Sequence, residues 1–134
     1  MEEITTIGLD IAKHVFQVHG VNAAGPPAPR VSCLMVTRGD VQLLSYSLVC
    51  YLNQDYPHRE LLIVTDNVTP ALRALAERHA AQNVKLVTVP AGLTLGDLRN
   101  FAAARAAGDV ICQWDDDDLY DPARLSASVH VLLQ

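Results

Sequence analysis

From residue 31 onward, short apolar runs alternate with stretches of helical periodicity. Val31 to Val36 predicts a buried strand. Asp40 is placed to cap a helix whose positions Leu43, Leu44, Ser47, Leu48, Tyr51 and Leu52 recur at helical spacing, and Tyr56-Pro57 ends it. Leu61 to Thr65 predicts a second strand. Pro70 suits the first turn of a second helix, which buries Leu72, Leu75 and Ala76. Val84 to Val89 is a third strand. Thr94 starts a third helix through Leu95, Leu98, Phe101 and Ala102, closed by Gly108. Asp109 to Trp114 is a fourth strand, and Pro122 opens a fourth helix carrying Leu125, Val129 and Leu132. Strands alternating with helices imply right-handed crossovers and a mostly parallel sheet with helices on both faces. Apolar strands of this kind fit burial on both sides. The half-Rossmann strand order 3-2-1-4, counted from Val31, sets the first strand between the second and the fourth.

The first 25 residues have a different character. Thr5 to Ile11 reads as a short strand, and His14 to Val21 alternates as another, with Val15, Phe16, Val18 and Val21 apolar. Gly25-Pro26-Pro27-Ala28-Pro29 then interrupts any helix or central strand. This divides the chain into an N-terminal segment (1–25), a proline-rich linker (26–30) and an α/β domain (31–134). The segment is expected to pack loosely or hang free. Separately, the outer side of the fourth strand is expected to lack the later elements that would cover it and to be an uncovered, self-associating edge.

Half of the 134 residues are hydrophobic and 19% are charged, which excludes intrinsic disorder. The net charge of −5 gives no general attraction to nucleic acid or anionic membrane, so no nucleic-acid partner is expected. No apolar run is long enough to span a membrane, and the acidic start Met1-Glu2-Glu3 lacks a basic secretory n-region, so the expected location is cytoplasmic. Cys33, Cys50 and Cys112 have no metal-ligand spacing and read as reduced, buried thiols.

In an open parallel sheet, ligands bind beyond the carboxyl ends of the strands. Thr37-Arg38-Gly39-Asp40 follows the first strand, Asp66-Asn67 the second, and Asp115-Asp116-Asp117-Asp118 the fourth. The order 3-2-1-4 makes the first and last of these loops face each other. Four adjacent aspartates repel one another unless something neutralises them. A divalent cation does so, and Mg²⁺ or Mn²⁺ bound to carboxylates commonly completes its shell with substrate phosphates; a solvated acidic loop is the plainer alternative. Asp66 stands where it could bond a ligand or cap a turn. Arg99 could reach a phosphate or face solvent, and Trp114 reads as core or as a packing lid. The histidines have no ligand spacing, no serine sits in a nucleophile elbow, and neither a dinucleotide fingerprint nor a P-loop is present.

The stretch from Val31 to Gln134 resembles the N-terminal half of a family 2 glycosyltransferase of GT-A fold. Val31 to Arg38 resembles the family's opening strand and threonine-containing nucleotide loop. Leu52-Asn53-Gln54-Asp55-Tyr56-Pro57 resembles its first helix end, and Glu60 to Asp66 its "E-L-I-V-V-D-D" strand, with Thr65 in place of an aspartate. Arg99-Asn100 with Ala106-Ala107-Gly108 resembles its "R-N…A-x-G" helix, and Trp114 to Pro122 its D-x-D loop. The resemblance implies a nucleotide-sugar donor as partner and Mg²⁺ or Mn²⁺ as cofactor. It implies that Thr37, Arg38 and Asp66 hold base and ribose, and that Arg99 approaches the nucleotide. Asp115 would then touch the ribose or donor sugar and Asp117 hold the metal, roles that Asp116 and Asp118 share. Family members continue past the position of Gln134 into an acceptor half with the general base. A donor-binding module that transfers sugar when complemented is therefore expected, with no catalytic base assigned; a non-catalytic or vestigial nucleotide-binding fragment is the alternative.

Thr6 to Gly20 is similar to the N-terminus of IS110-type transposases, in which the aspartate matching Asp10 is a metal-binding residue of an RNase H-like nuclease. The acidic partners of that aspartate have no counterpart here. A chimeric reading frame without nuclease activity is expected.

Overall fold

The computed structural model describes residues 5–7 and 28–134. Five strands form one parallel sheet: β1 (Thr5–Ile7), β2 (Val31–Val36), β3 (Arg59–Thr65), β4 (Val84–Thr88) and β5 (Val110–Gln113). Their order is β1-β5-β2-β3-β4. Counted from β2, this is the expected 3-2-1-4, with β2 between β3 and β5. The α-helices are α1 (Val41–Leu52), α2 (Pro70–Arg78), α3 (Leu95–Arg105) and α4 (Arg124–Leu132), and a 3-10 turn at Ala80–Gln82 follows α2.

Alternation along the buried strands gives the sheet two apolar faces. Val31, Cys33, Met35, Leu61, Ile63, Cys112 and Trp114 pack against α1, α2 and α4 through Leu44, Leu48, Tyr51, Leu72, Leu125 and Val129. Leu34, Leu62, Val64 and Ile111 pack against α3 through Leu98 and Ala102. The helix starts follow their capping residues. Asp40 accepts from the Leu43 N–H, Thr69 from the Leu72 N–H, and Thr94 with Asp97 forms a reciprocal capping box. The fourth helix begins at Arg124, two residues after Pro122. Leu43 and Leu95 lie on the solvent side of α1 and α3, 43% and 49% exposed, rather than in the core stripe.

The outer side of β5 is not the uncovered edge expected. Thr5–Ile7 pairs with it in parallel, Thr5 opposite Val110 and Ile7 opposite Cys112, so that β1 supplies the backbone partners the edge lacks. The strand expected over Thr5 to Ile11 is thus present at Thr5–Ile7; its remainder and the strand expected at His14 to Val21 lie outside the described residues.

The amino ends of the central strands meet around one carboxylate. Glu60 on β3 is fully buried. Its Oε2 accepts from Ser32 Oγ at 2.6 Å and from the Ala107 N–H at 2.7 Å, while Oε1 lies 3.0 Å from Lys85 Nζ and 3.4 Å from an Arg30 guanidinium nitrogen. Burial alone raises a carboxyl pKa. Here the donors from Ser32, Ala107 and Lys85 outweigh it, and Glu60 titrates below its ordinary range. Gly108 belongs to this junction. The third helix ends with Ala106 as its cap, so Gly108 does not serve as the helix-closing glycine that was expected. It is required for close approach: a Cβ there would lie 2.6 Å from both the Arg30 carbonyl oxygen and Ser32 Oγ.

Two outcomes test this junction. Gly108→Ala should destabilise the fold by about 2–3 kcal/mol through overpacking against backbone, read by urea denaturation. Glu60→Gln should remove about 1–3 kcal/mol at neutral pH, since an amide NH₂ then faces donors that the carboxylate oxygens had filled. A depressed carboxyl pKa contributes stability that is present above the ordinary value of 4.5 and is lost as pH falls through the folded-state value. Melting temperatures of the parent protein and Glu60→Gln should therefore converge as the solution is acidified below that value.

Candidate functional site

At the carboxyl end of β2, Thr37 is buried. Its N–H donates to the Val64 carbonyl at 3.0 Å and its hydroxyl accepts from the Gly39 N–H at 3.2 Å. Gly39 adopts φ +97°, and a Cβ there would meet the Asn67 carbonyl oxygen at 2.8 Å, so the tight turn excludes any larger residue. Asn67 closes the junction: its side-chain amide donates to the Arg38 carbonyl at 3.2 Å and its N–H to Thr65 Oγ1 at 3.0 Å. The loops after β2 and β3 are thereby one unit. Arg38 is exposed on it and Asp66 half-buried.

The loop after β5 is anchored from behind. Trp114 belongs to the core, fully buried, and its indole N–H donates to the Ser47 carbonyl at 3.0 Å. Tyr51 meets it edge-on with centroids 6.4 Å apart, and Tyr120 lies tilted over it at 4.1 Å. Ser47 Oγ donates to the Asp115 carbonyl at 2.6 Å, and the Asp115 N–H donates to Tyr120 Oη at 2.7 Å. Burial raises the Tyr120 pKa well above the ordinary phenol value, with the carboxylates of Asp115 and Asp118 adding to the effect, so its hydroxyl stays protonated. Gln54 fixes the far side of the loop. Its amide donates to the Asp121 and Cys50 carbonyls at 2.7 and 3.1 Å and accepts from the Leu125 N–H at 3.0 Å.

Between β2, β5 and α3 a cleft of about 300 Å³ opens, lined by Arg99 and Gln113, by Asp115, Asp116 and Asp117, and by the apolar Leu34, Val36 and Leu95. The structure thus brings Arg99 together with three of the four aspartates. Thr37, Arg38 and Asp66 are not among the residues lining this cleft; they sit on the neighbouring β2–β3 loop unit. Carboxylate oxygens of Asp115, Asp117 and Asp118 all lie within 4.8 Å of one another. Three hard oxygen donors this close fit one divalent cation of the Mg²⁺ or Mn²⁺ type. Partial desolvation, the hydrogen bond and charge of Asp115, and the charge of Asp117 hold the Asp118 carboxyl above its ordinary pKa, the signature of like charges gathered in one place. Sequence reasoning places Asp118 as a sharer of roles, names Asn67 only as following the second strand, and gives no site role to Gln113, Ser47 or Tyr120. Only Gln113 carried a local signal, as a polar residue in an apolar run. Beyond the aspartates, a second groove of about 340 Å³ runs between α1 and the loop, lined by Leu43, Tyr46 and Leu119 with Asp116, Asp117 and Asp118.

A parallel sheet of this order, with a carboxylate loop at the end of the strand beside β2, defines a Rossmann-like α/β domain of the GT-A glycosyltransferase type. The chain belongs to glycosyl transferase family 2, whose family model matches residues 32–134. No curated protein matches it. Among solved structures it is similar to S. aureus TarS 1-349 in complex with UDP-GlcNAc, at 22% identity and TM-score 0.68 over 75% of this chain and 30% of that one. It is also similar to the mannosyltransferase PcManGT from Pyrobaculum calidifontis in complex with GDP-Man and Mn²⁺, at 26% identity and TM-score 0.60 over 80% of this chain and 32% of that one. The chain therefore spans about a third of the length of these structures. Among the described residues, no helix is long and apolar enough to cross a membrane.

The anchoring of the aspartate loop gives a direct expectation. Gln54→Ala removes three hydrogen bonds and leaves the buried Leu125 N–H unpaired, which should destabilise the protein by about 2 kcal/mol. A urea midpoint equal to that of the parent protein would show that the loop is held by other means.

Proposed function

We propose that this chain is the donor-binding half of a nucleotide-sugar-dependent glycosyltransferase, gripping the donor's diphosphate through a divalent cation, Mg²⁺ or Mn²⁺, and transferring the sugar when an acceptor half complements it. One observation carries the reading: the carboxylates of Asp115, Asp117 and Asp118 converge within 4.8 Å beside a cleft that Arg99 also lines. The nucleotide sugars in the complexes of TarS and PcManGT, and the Mn²⁺ in the latter, support it.

In this reading Asp115 and Asp117, joined by Asp118, hold the cation, and Asp115 and Asp116 face the ribose or donor sugar. Arg99 attracts the diphosphate from α3. Thr37 acts through the shape it imposes on the turn at Gly39, while Arg38 and Asp66 flank the base and ribose. A cation held by Asp115, Asp117 and Asp118 would supply Lewis-acid stabilisation of the charge that builds on a leaving nucleoside diphosphate. The protein's own contribution is preorganisation: Ser47 and Tyr120 fix the Asp115 backbone before any ligand arrives.

We read residues 1–25 as a segment of separate, transposase-like origin, joined through the linker at 26–30. The start of the family match at residue 32 supports this division.

Mn²⁺ together with UDP or GDP should raise the melting temperature, because a ligand that binds only the folded state stabilises it by mass action. At about 100 times the dissociation constant the gain is roughly 2.7 kcal/mol. Metal alone should do much less, since such ions rely on phosphate oxygens to complete their shell. Asp117→Asn should abolish the joint effect and leave the ligand-free protein equally or more stable, because one like charge leaves the cluster. Superimposable melting curves with and without Mn²⁺ and nucleotide, in folded protein, would overturn the reading.

A further inference from the structure

We infer that Gln113 is a positioning residue of the carboxylate site, its amide holding the Asp115 side chain in the orientation that metal–diphosphate binding requires. The inference rests on the donor-site reading above and adds a residue to it.

Gln113 is out of place by composition. It ends β5, whose other residues Val110, Ile111 and Cys112 are apolar and buried, and it pairs in register with Leu34. Its neighbour Trp114 turns into the core on the α1 side. Strand alternation therefore sends Gln113 to the α3 face, the face of Leu34 and Ile111. An apolar side chain would suit that floor better than an amide, unless the amide is used. It is used: Nε2 donates to Asp115 Oδ1 at 2.9 Å. Gln113 also lines the donor cleft and an adjoining recess of about 150 Å³ walled by Leu34, Ile111 and Ala103, so it stands at the boundary between the apolar floor and the carboxylates.

The main chain of Asp115 is already held on both sides, by Ser47 Oγ at its carbonyl and Tyr120 Oη at its N–H. The remaining freedom of Asp115 is rotation of its side chain; the Gln113 amide restrains it from the strand, while the Asp118 carboxyl that bonds to it belongs to the same loop. The choice of a neutral donor matters. A lysine or arginine here would neutralise Asp115 and compete with a cation for it. An amide fixes one oxygen while leaving the carboxylate's full negative charge available. This is the role of outer partners that orient metal-ligating carboxylates.

The experiment measures binding of UDP and GDP by calorimetry, with and without Mn²⁺, on the full chain. Gln113→Met keeps the length of the side chain and packs on Leu34 and Ile111, so the ligand-free melting temperature should be unchanged or raised. Mn²⁺-dependent affinity should fall roughly 10- to 100-fold, the range for outer-partner substitutions, with metal-independent affinity unmoved. Gln113→Glu, which replaces the donor by an anion of the same shape, should lose more. In an Asp115→Ala background, which removes the acceptor itself, Gln113→Met should have no further effect on whatever Mn²⁺-dependent affinity remains. Equal Mn²⁺-dependent affinities in the parent protein and Gln113→Met would overturn the inference alone, as would a loss that persists undiminished in the Asp115→Ala background. A parent protein without any Mn²⁺-dependent affinity would overturn the donor-site reading and the inference with it.

Discussion

The buried Glu60 carboxylate is the constraint on which the rest of the sheet depends. A lone charge in the interior is costly, and it is tolerated only when its lone pairs are filled. Here four elements supply the donors: β2 through Ser32, β4 through Lys85, the turn before β5 through Ala107, and the chain entering β2 through Arg30. A shift of any one strand along its neighbour would leave that charge short of a donor. Glu60 therefore sets register as well as contributing stability. Gly108 follows from the same constraint, because only a residue without a side chain lets the turn before β5 close onto Ser32.

That clamp lies at the amino ends of the strands, while the candidate chemistry lies at the carboxyl ends. The two ends communicate through rigid strands of known register rather than through shared side chains. At the carboxyl end the sequence is free to place residues that destabilise the fold by themselves. Adjacent aspartates are such residues, and the loop that bears them is tied to the core through Trp114, Ser47, Tyr120 and Gln54. Like-charge repulsion is thus confined to the tip of a loop whose base cannot yield. The β2–β3 loop unit is built in the same manner, with Gly39 and Asn67 doing locally what Glu60 does for the sheet.

Much of this fold is legible in the order of residues. Apolar runs separated by capping residues and prolines mark the four strands and four α-helices from Val31 onward, though not the 3-10 turn at Ala80–Gln82, and the crossover rule leaves few ways to order four parallel strands. That order sets the loop after β2 beside the aspartates, but the cleft wall opposite them is supplied by Arg99 of α3, which the order of strands does not announce. Other features depend on partners that no local pattern announces. Glu60 looks like a surface residue opening an apolar strand; its burial depends on donors 28, 47 and 25 positions away. The attachment of Thr5–Ile7 to β5 could not be read because a three-residue strand carries no signal of which edge it joins. Gly108 was the right residue for a different reason. Thr37 was legible as a loop residue, but not that its hydroxyl is spent on the turn.

Trp114 is the single tryptophan of the chain and is wholly buried. It lies directly against Tyr120 and one residue before Asp115, with the Arg124 guanidinium 5.7 Å from its ring centroid. Its fluorescence therefore originates from one defined spot, immediately behind the carboxylates. Burial from water favours short-wavelength emission, and the charges of the loop and of Arg124 set the local field on the excited indole. The protein thus carries its own optical probe of the aspartate loop, without a label, read by excitation that selects the single indole over the four tyrosines.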